Sequence, residues 1–159
     1  SLSEALVEMS RQEWQQIQDV HVGGAFNCSR VFLPGMCTRG FGRVVMTSSV
    51  SGQSTMPLIG AYSTAKAALG AMARAIAVEY GASGITANAI APGITETPLF
   101  QTLTEKVVED LKRSVPVQRI GQPEDVANAV RFFSQPASTY ITGQLLYVCG
   151  GRSLSSVSV

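Results

Sequence analysis

Ser49, Tyr62 and Lys66 are the residues of this chain whose types and spacing could do acid–base chemistry. The serine stands thirteen positions before the tyrosine, with Ser48 beside it, and the lysine stands four after it in Tyr62-Ser63-Thr64-Ala65-Lys66. On a helix, side chains four apart share a face, so a phenol and an ammonium at this spacing reach one site together. A cation beside a phenol favours the phenolate and lowers a pKa that is ordinarily about 10. A tyrosine tuned in this way gives a proton to a carbonyl oxygen, or takes one from an alcohol, near neutral pH. Each residue also has a plainer reading: an interfacial tyrosine, a solvated helix lysine and a serine capping the end of a strand.

The elements that must position these residues alternate between helix and strand. Ser10-Arg11-Gln12-Glu13 reads as a capping box, opening a helix to about Arg39 with Trp14, Ile17, Val20, Ala25, Cys28, Val31 and Phe32 as its apolar positions and Gly40 and Gly42 at its end. Gly23-Gly24 inside it costs about 1 kcal/mol per glycine relative to alanine and marks either a close helix crossing or a bend. Val44-Val45-Met46-Thr47-Ser48 predicts a buried parallel strand, which puts Ser49 at the C-terminal end where open α/β sheets bind ligands. A helix over about Tyr62–Tyr80 follows, with Leu69, Met72, Ala73, Ile76 and Ala77 as its stripe. Ile85–Ile90 alternates as a strand running into Pro92-Gly93, and the stretch from Ile94 to about Thr102, without a period, is expected to be a mobile lid over the substrate, with Leu99, Phe100 and Leu103 as an apolar pocket wall. A short helix near Glu105–Arg113 precedes one opened by Pro123-Glu124-Asp125, with Ala127, Val130, Phe132 and Phe133 as its core face, and a third strand at Gln144–Val148. Residues 1–9 read as a lead-in and 153–159 as a polar tail.

Composition bounds the class. The 159 residues predict one domain, and 45% apolar against 14% charged residues describe a globular interior. A net charge of +1 without a basic cluster argues against nucleic acid as a partner. The uncharged run from Val44 to Ala65 is interrupted by Ser, Thr, Gly, Gln and Pro, so no membrane span is expected. No cationic region followed by an apolar core opens the chain, so no secretion signal is expected either. Cys28, Cys37 and Cys149 are odd in number and lack Cys-x-x-Cys spacing, and are read as buried reduced thiols rather than a disulfide or a metal site, in keeping with a cytoplasmic location.

Asn88-Ala89-Ile90-Ala91-Pro92-Gly93 and Gly143…Gly150-Gly151 follow the Ser…Tyr-x-x-x-Lys pattern in order. With them the chain resembles the short-chain dehydrogenase/reductase family from about Met9 to Gly151, and within it reductases of 3-oxoacyl thioesters and related alcohol dehydrogenases. The resemblance implies an α/β Rossmann-like doubly wound parallel sheet, NAD or NADP as cofactor, hydride transfer to or from a small-molecule carbonyl or secondary alcohol, and a homo-oligomer, dimer or tetramer. It implies that Ser49 hydrogen-bonds the substrate oxygen, that Tyr62 is the acid/base, and that Lys66 lowers the Tyr62 pKa and holds the nicotinamide ribose. Pro92, Gly93, Ile94 and Thr97 fall on the segment that lines the nicotinamide; Thr97 reads equally as a cap for a lid helix. Ser48 reads as structural.

The chain departs from that family in three places. Twenty-eight positions before Ser49, where the family usually has a catalytic asparagine that bends its helix, stands His21. Imidazole titrates near pH 6.5 and has a different shape. His21 either replaces the asparagine's part in a proton relay, weakens it, or fills space; restoring Asn in an intact enzyme is expected to preserve or raise turnover, and a collapse in activity would give the histidine an essential role of its own. Cys149 stands where the family often has aspartate before Gly-Gly, a position tied to subunit contacts. Lastly, only three strands are countable and no glycine-rich pyrophosphate turn precedes the first. Residues 1–159 are therefore expected to be the C-terminal part of a single NAD(P)-binding domain, with its N-terminal nucleotide-binding part absent, an unpaired apolar edge on the first strand, and poor stability as a soluble monomer. The alternative is a truncated or non-catalytic relative serving as a structural or partner subunit.

Overall fold

The structure, a computed structural model, describes residues 4–154, apart from the side chains of Leu99 and Gln101. Of the expected lead-in and tail, residues 1–3 and 155–159 lie outside the described residues. The remainder of the lead-in docks: the Glu4 N–H donates to the Leu58 carbonyl at 2.7 Å, and Leu6 packs over Gly60.

Ser10 opens the first helix as its spacing predicts. Its Oγ accepts the Glu13 N–H at 3.2 Å and the Glu13 carboxylate accepts the Ser10 N–H at 3.1 Å, so two otherwise unpaired donors of α1 (Arg11–Gln18) are satisfied reciprocally. The helical backbone then continues through a π turn (Asp19–Gly23) into α2 (Gly24–Arg39), which ends at Gly40 in the left-handed conformation. The π turn corrects the expected apolar stripe. Ile17 is buried, but Val20, Cys28, Val31 and Phe32 face solvent, and the inward positions of α2 are Ala25, Leu33, Met36 and Cys37. One extra residue in a turn rotates every later side chain by about 100° relative to an uninterrupted helix. Gly23 and Gly24 have no neighbour within 3.8 Å of an added Cβ, so they do not mark a close crossing; they sit where the π turn ends.

Three parallel strands follow in spatial order β1 (Gly42–Thr47), β2 (Ile85–Pro92), β3 (Leu145–Val148). Met46 pairs with Ala89 and Ile90 with Leu146, in the register that alternation of the side chains demands. β1 carries one hydrogen-bonded neighbour among the described residues and so presents a free edge. The central β2 is covered on both faces, so Thr86 and Asn88, the polar positions of its alternation, are buried as well. Ile85, Ala87 and Ala89 pack with Leu69, Ala73, Ile76 and Ala77 of α3 (Gly60–Tyr80) on one side. On the other, Ile90 meets Ala129 and Phe133 of α5 (Pro123–Ser134). Here too the sequence reading shifts: the core face of α5 is Val126, Ala129, Val130 and Phe133, a helical stripe at i, i+3, i+4, i+7, while Ala127 and Phe132 point outward. The buried Asn88 donates to the Ile141 carbonyl and accepts the Gln144 N–H, tying β2 to the approach of β3.

Ile94–Glu96 is not loose, contrary to the expected lid. The Gly121 N–H donates to the Ile94 carbonyl at 3.0 Å and the Glu96 N–H to the Gly121 carbonyl at 2.8 Å. Beyond it, Pro98–Thr102 winds into a 3-10 turn ahead of α4 (Glu105–Arg113). The three cysteines are unpaired, but Cys28 is exposed and the other two half-buried, because the π turn turns the Cys28 face outward. Among the described residues, no helix is long and apolar enough to cross a membrane.

Candidate active site

Two elements build the site. β1 delivers Ser48 and Ser49 at its C-terminal end, and the first turns of α3 deliver Tyr62 and Lys66 on one face. The junction between them is tight. Ser48 is buried, its N–H continues the ladder to the Ile90 carbonyl, and its Oγ donates to the Lys66 carbonyl at 2.7 Å. Its structural part is as the sequence reading has it. The turn after Ser49 runs so close to α3 that a Cβ on Gly52 would lie 3.0 Å from the Ala67 nitrogen and the Lys66 carbonyl carbon. Both neighbours are backbone, so neither can give way.

Ser49 begins the 3-10 turn Val50–Gly52, and its Oγ accepts the Ser51 N–H at 3.1 Å. The cap and the chemical reading coexist, because accepting this bond uses a lone pair and leaves the hydroxyl proton to be donated. Lys66 is half-buried, lies 5.6 Å from the Tyr62 ring centroid and donates to the Thr47 carbonyl at 2.9 Å. Burial lowers its pKa by disfavouring the ammonium. The Tyr62 ring also meets His21, ring centroids 5.5 Å apart and planes at 78°. His21 stands in the π turn, half-buried, and burial first, then the Lys66 charge, holds its pKa below the ordinary imidazole value. The structure thus brings together Ser49's turn, Tyr62, Lys66 and His21.

The segment after β2 forms the next part. The Gly93 N–H donates to the Val148 carbonyl at 2.9 Å, and a Cβ on Gly93 would fall 2.8 Å from Cys149. Pro92-Gly93 therefore extends the pairing with β3 instead of making a turn. Ile94 is pinned to Gly121, and Thr97 sits at the cap position of Pro98–Thr102 without a side-chain capping bond.

Sequence reasoning missed several supporting residues. Gln18 donates through Nε2 to the Ala61 carbonyl at 3.1 Å, pinning the helix before the π turn to the residue beside Tyr62; an amide on a polar helix face carries no sequence signal. Gly52 was legible in principle, as a glycine three residues after the serine. Gln122 donates to Glu96 at 2.7 Å, and Arg119 grips Asp125 with two bonds of 2.6 and 3.0 Å, which holds the Asp125 carboxyl down to about 2.

Comparison with known proteins gives the family. The family model described as enoyl-(acyl carrier protein) reductase matches residues 1–153. A hydroxy(phenyl)methylsuccinyl-CoA dehydrogenase subunit of Thauera aromatica is 39% identical over 94% of the chain and 60% of its own length. A 3-oxoacyl-(acyl-carrier-protein) reductase of Rickettsia bellii is 35% identical over 91% of the chain and 60% of its length. Among solved structures, a 3-oxoacyl-(acyl-carrier protein) reductase from Brucella melitensis superposes with a TM-score of 0.91 at 32% identity, covering 97% of this chain and 58% of that one. A gluconate 5-dehydrogenase from Burkholderia cenocepacia, solved with NADP and tartrate, gives 0.89 at 28% identity over 96% and 61%. The chain spans about 60% of the length of the curated relatives it matches. With matched sequence over nearly all of its residues and a parallel sheet of the same build, the chain belongs to the short-chain dehydrogenase/reductase family of Rossmann-fold oxidoreductases.

Proposed function

We propose that the protein moves hydride between a nicotinamide cofactor, NAD or NADP, and a small-molecule carbonyl or secondary alcohol, with Tyr62 as the acid/base. The observation that carries the reading is the meeting of the Tyr62 ring with both Lys66 and His21, on a helix clamped against the end of β1 where Ser49 keeps a proton to donate. In reduction, the Ser49 hydroxyl hydrogen-bonds the substrate oxygen and the Tyr62 phenol gives that oxygen its proton. The Lys66 ammonium stabilises the negative charge left as that proton departs. In oxidation, Tyr62 takes the alcohol proton.

The donor set fits the nicotinamide-ribose end of the cofactor. A half-buried ammonium and a phenol one helical turn apart can hold ribose hydroxyls, and Pro92, Gly93 and Ile94, fixed against β3 and Gly121, offer a wall for the ring, with Thr97 beside them. Bound nicotinamide supplies or accepts the hydride at the substrate carbon. This reading takes residues 1–159 as the C-terminal part of one dinucleotide-binding domain, an assignment supported by the share of each relative that the chain matches. It includes a cytoplasmic homo-oligomer: Val31 and Phe32 on α2 and Val78 on α3 are 70%, 61% and 87% exposed, apolar surface that self-association would remove from water. A second reading, a partner subunit without turnover, draws on the free edge of β1.

The test begins with the intact mass of the protein from its native source, followed by assay of NADH and NADPH oxidation with 3-oxoacyl thioesters and simple ketones. Turnover with either cofactor is expected. A folded protein that binds neither cofactor and turns over nothing would move the assignment to the partner subunit.

A further inference from the structure

His21 sits in a locally widened helix that is fixed from both sides. Before it, Gln18 donates to the Ala61 carbonyl, and Ile17 packs into a small cluster with Ala61 and Ala65 of α3. After it, Val22 packs on the same cluster. These anchors bracket Tyr62, and the π turn between them (Asp19–Gly23) turns the His21 ring onto the Tyr62 ring edge-to-face at 5.5 Å. A π turn interrupts the regular helical hydrogen-bond ladder, and such turns are frequent at functional sites. Asparagine at this place could share a hydrogen bond, but it has no ring to meet a phenol.

We infer that His21 is a positioning residue for Tyr62, its ring holding the phenol in the orientation from which the proton is passed. The role rests on the reaction proposed above. Edge-to-face packing is favourable because the positive rim of one ring meets the negative face of the other, and it fixes both distance and tilt. The charge state matters as well. The titratable groups around the imidazole are Tyr62 and Lys66 from α3 and Asp19 on its own segment, whose carboxylate is held by Gln15 at 2.8 Å. Protonated His21 would set a second cation against the Lys66 ammonium, so the neutral ring is the working form.

On this role the expectation for asparagine is reversed. In the complete protein, H21N should lower kcat by about tenfold through misorientation of the phenol, with KM shifted far less. H21F, which restores a ring, should recover most of that loss, and the acid limb of the wild-type kcat–pH profile, with its inflection below about 6.5, should be missing from H21F. Turnover of H21N equal to wild type overturns the inference. So does an H21F as slow as H21N, because a hydrogen bond and not the ring would then be at work. A second readout is independent of turnover. The imidazole proton resonances of His21 are identified by their loss in H21F, and the ring current of Tyr62 should displace them until Tyr62→Leu removes it. No change in Y62L means the rings do not meet, and the inference falls even in an active enzyme. Displaced resonances in a protein without turnover would instead overturn the proposed reaction, and the positioning role with it.

Discussion

The wall that carries Ser49, Tyr62 and Lys66 and the wall that runs from Ile94 to Gly121 are held by different kinds of bond. On the first, side chains grip main chain: Ser48 the Lys66 carbonyl, Lys66 the Thr47 carbonyl, Gln18 the Ala61 carbonyl. Each bond ties one secondary element to another, and Gly52 removes the last space between them. On the second, main-chain bonds join Ile94 and Glu96 to Gly121 and Val117 to Gly150. The remaining fastenings include side-chain pairs near the surface: Gln122 with Glu96, Lys112 with Glu109, Arg119 with Asp125. Exposed pairs of this kind contribute little to stability. The first wall fixes chemistry to a fraction of an ångström, and the second can change its lining without disturbing the fold.

Substitutions should separate the two walls sharply. Tyr62→Phe keeps the ring and its packing and removes the proton, so kcat should fall by about 10²–10⁴ at unchanged thermal stability. A residual rate within tenfold of wild type would remove the phenol from the reaction. Gly52→Ala, which touches no reacting atom, comes next. The added methyl meets backbone at 3.0 Å, so the Ser49 turn must ease away from α3 by a few tenths of an ångström, and the rate should fall about tenfold, less than the roughly hundredfold of a 1 Å misplacement. An unchanged rate would show that the turn can settle elsewhere, and the contrast between the walls would lose its geometric basis.

The same contrast explains what the sequence discloses. Ser49, Tyr62 and Lys66 are legible because a rigid site needs fixed residue types at fixed spacing, and the strands are legible as short apolar or alternating runs bounded by glycine and proline. The π turn is not. Nothing in Asp19-Val20-His21-Val22-Gly23 announces one extra residue per turn, and reading through it at a helical period puts Val20, Cys28 and Val31 on the wrong face. Gln18 is equally silent, since its partner is a carbonyl forty-three residues away. On α5, Phe132 drew the eye as the larger apolar residue, but helical phase places Ala129 inward instead. The Ile94–Thr102 stretch looked unstructured because a pinned bridge to Gly121 and a short 3-10 turn have no side-chain period.

Smaller effects belong to the second wall. Phe100 and Leu103 line an open groove with Val108 and Ile120, so Phe100→Ala should alter substrate affinity more than turnover. A rise in KM of about tenfold for an acyl substrate, with kcat nearly constant, would be the signature of lost apolar contact. A fall in kcat as large as that of G52A would mean that the lid also positions the reacting carbonyl, and the division of labour between the walls would fail.

The smallest effect is expected at Asp125, and its sign follows from the ionisation. Arg119, and after it the Gln122 N–H, hold the Asp125 carboxyl at about 2, below the value of about 3.9 that it has when unfolded. The unfolded chain therefore binds more protons at this group between those two values. The stabilisation is fully present above the unfolded value and is lost as pH falls through the folded one. In D125N the group no longer titrates, so the difference in melting temperature between wild type and variant should be greatest near neutral pH and shrink as pH drops from about 4 towards 2. The pair is exposed, so the shift should be slight, and activity at neutral pH should hardly move. A difference that stays constant with pH would show that neither Arg119 nor the Gln122 N–H favours the ionised carboxyl, and a large loss of activity would place Arg119 and its partner among the residues that shape the site.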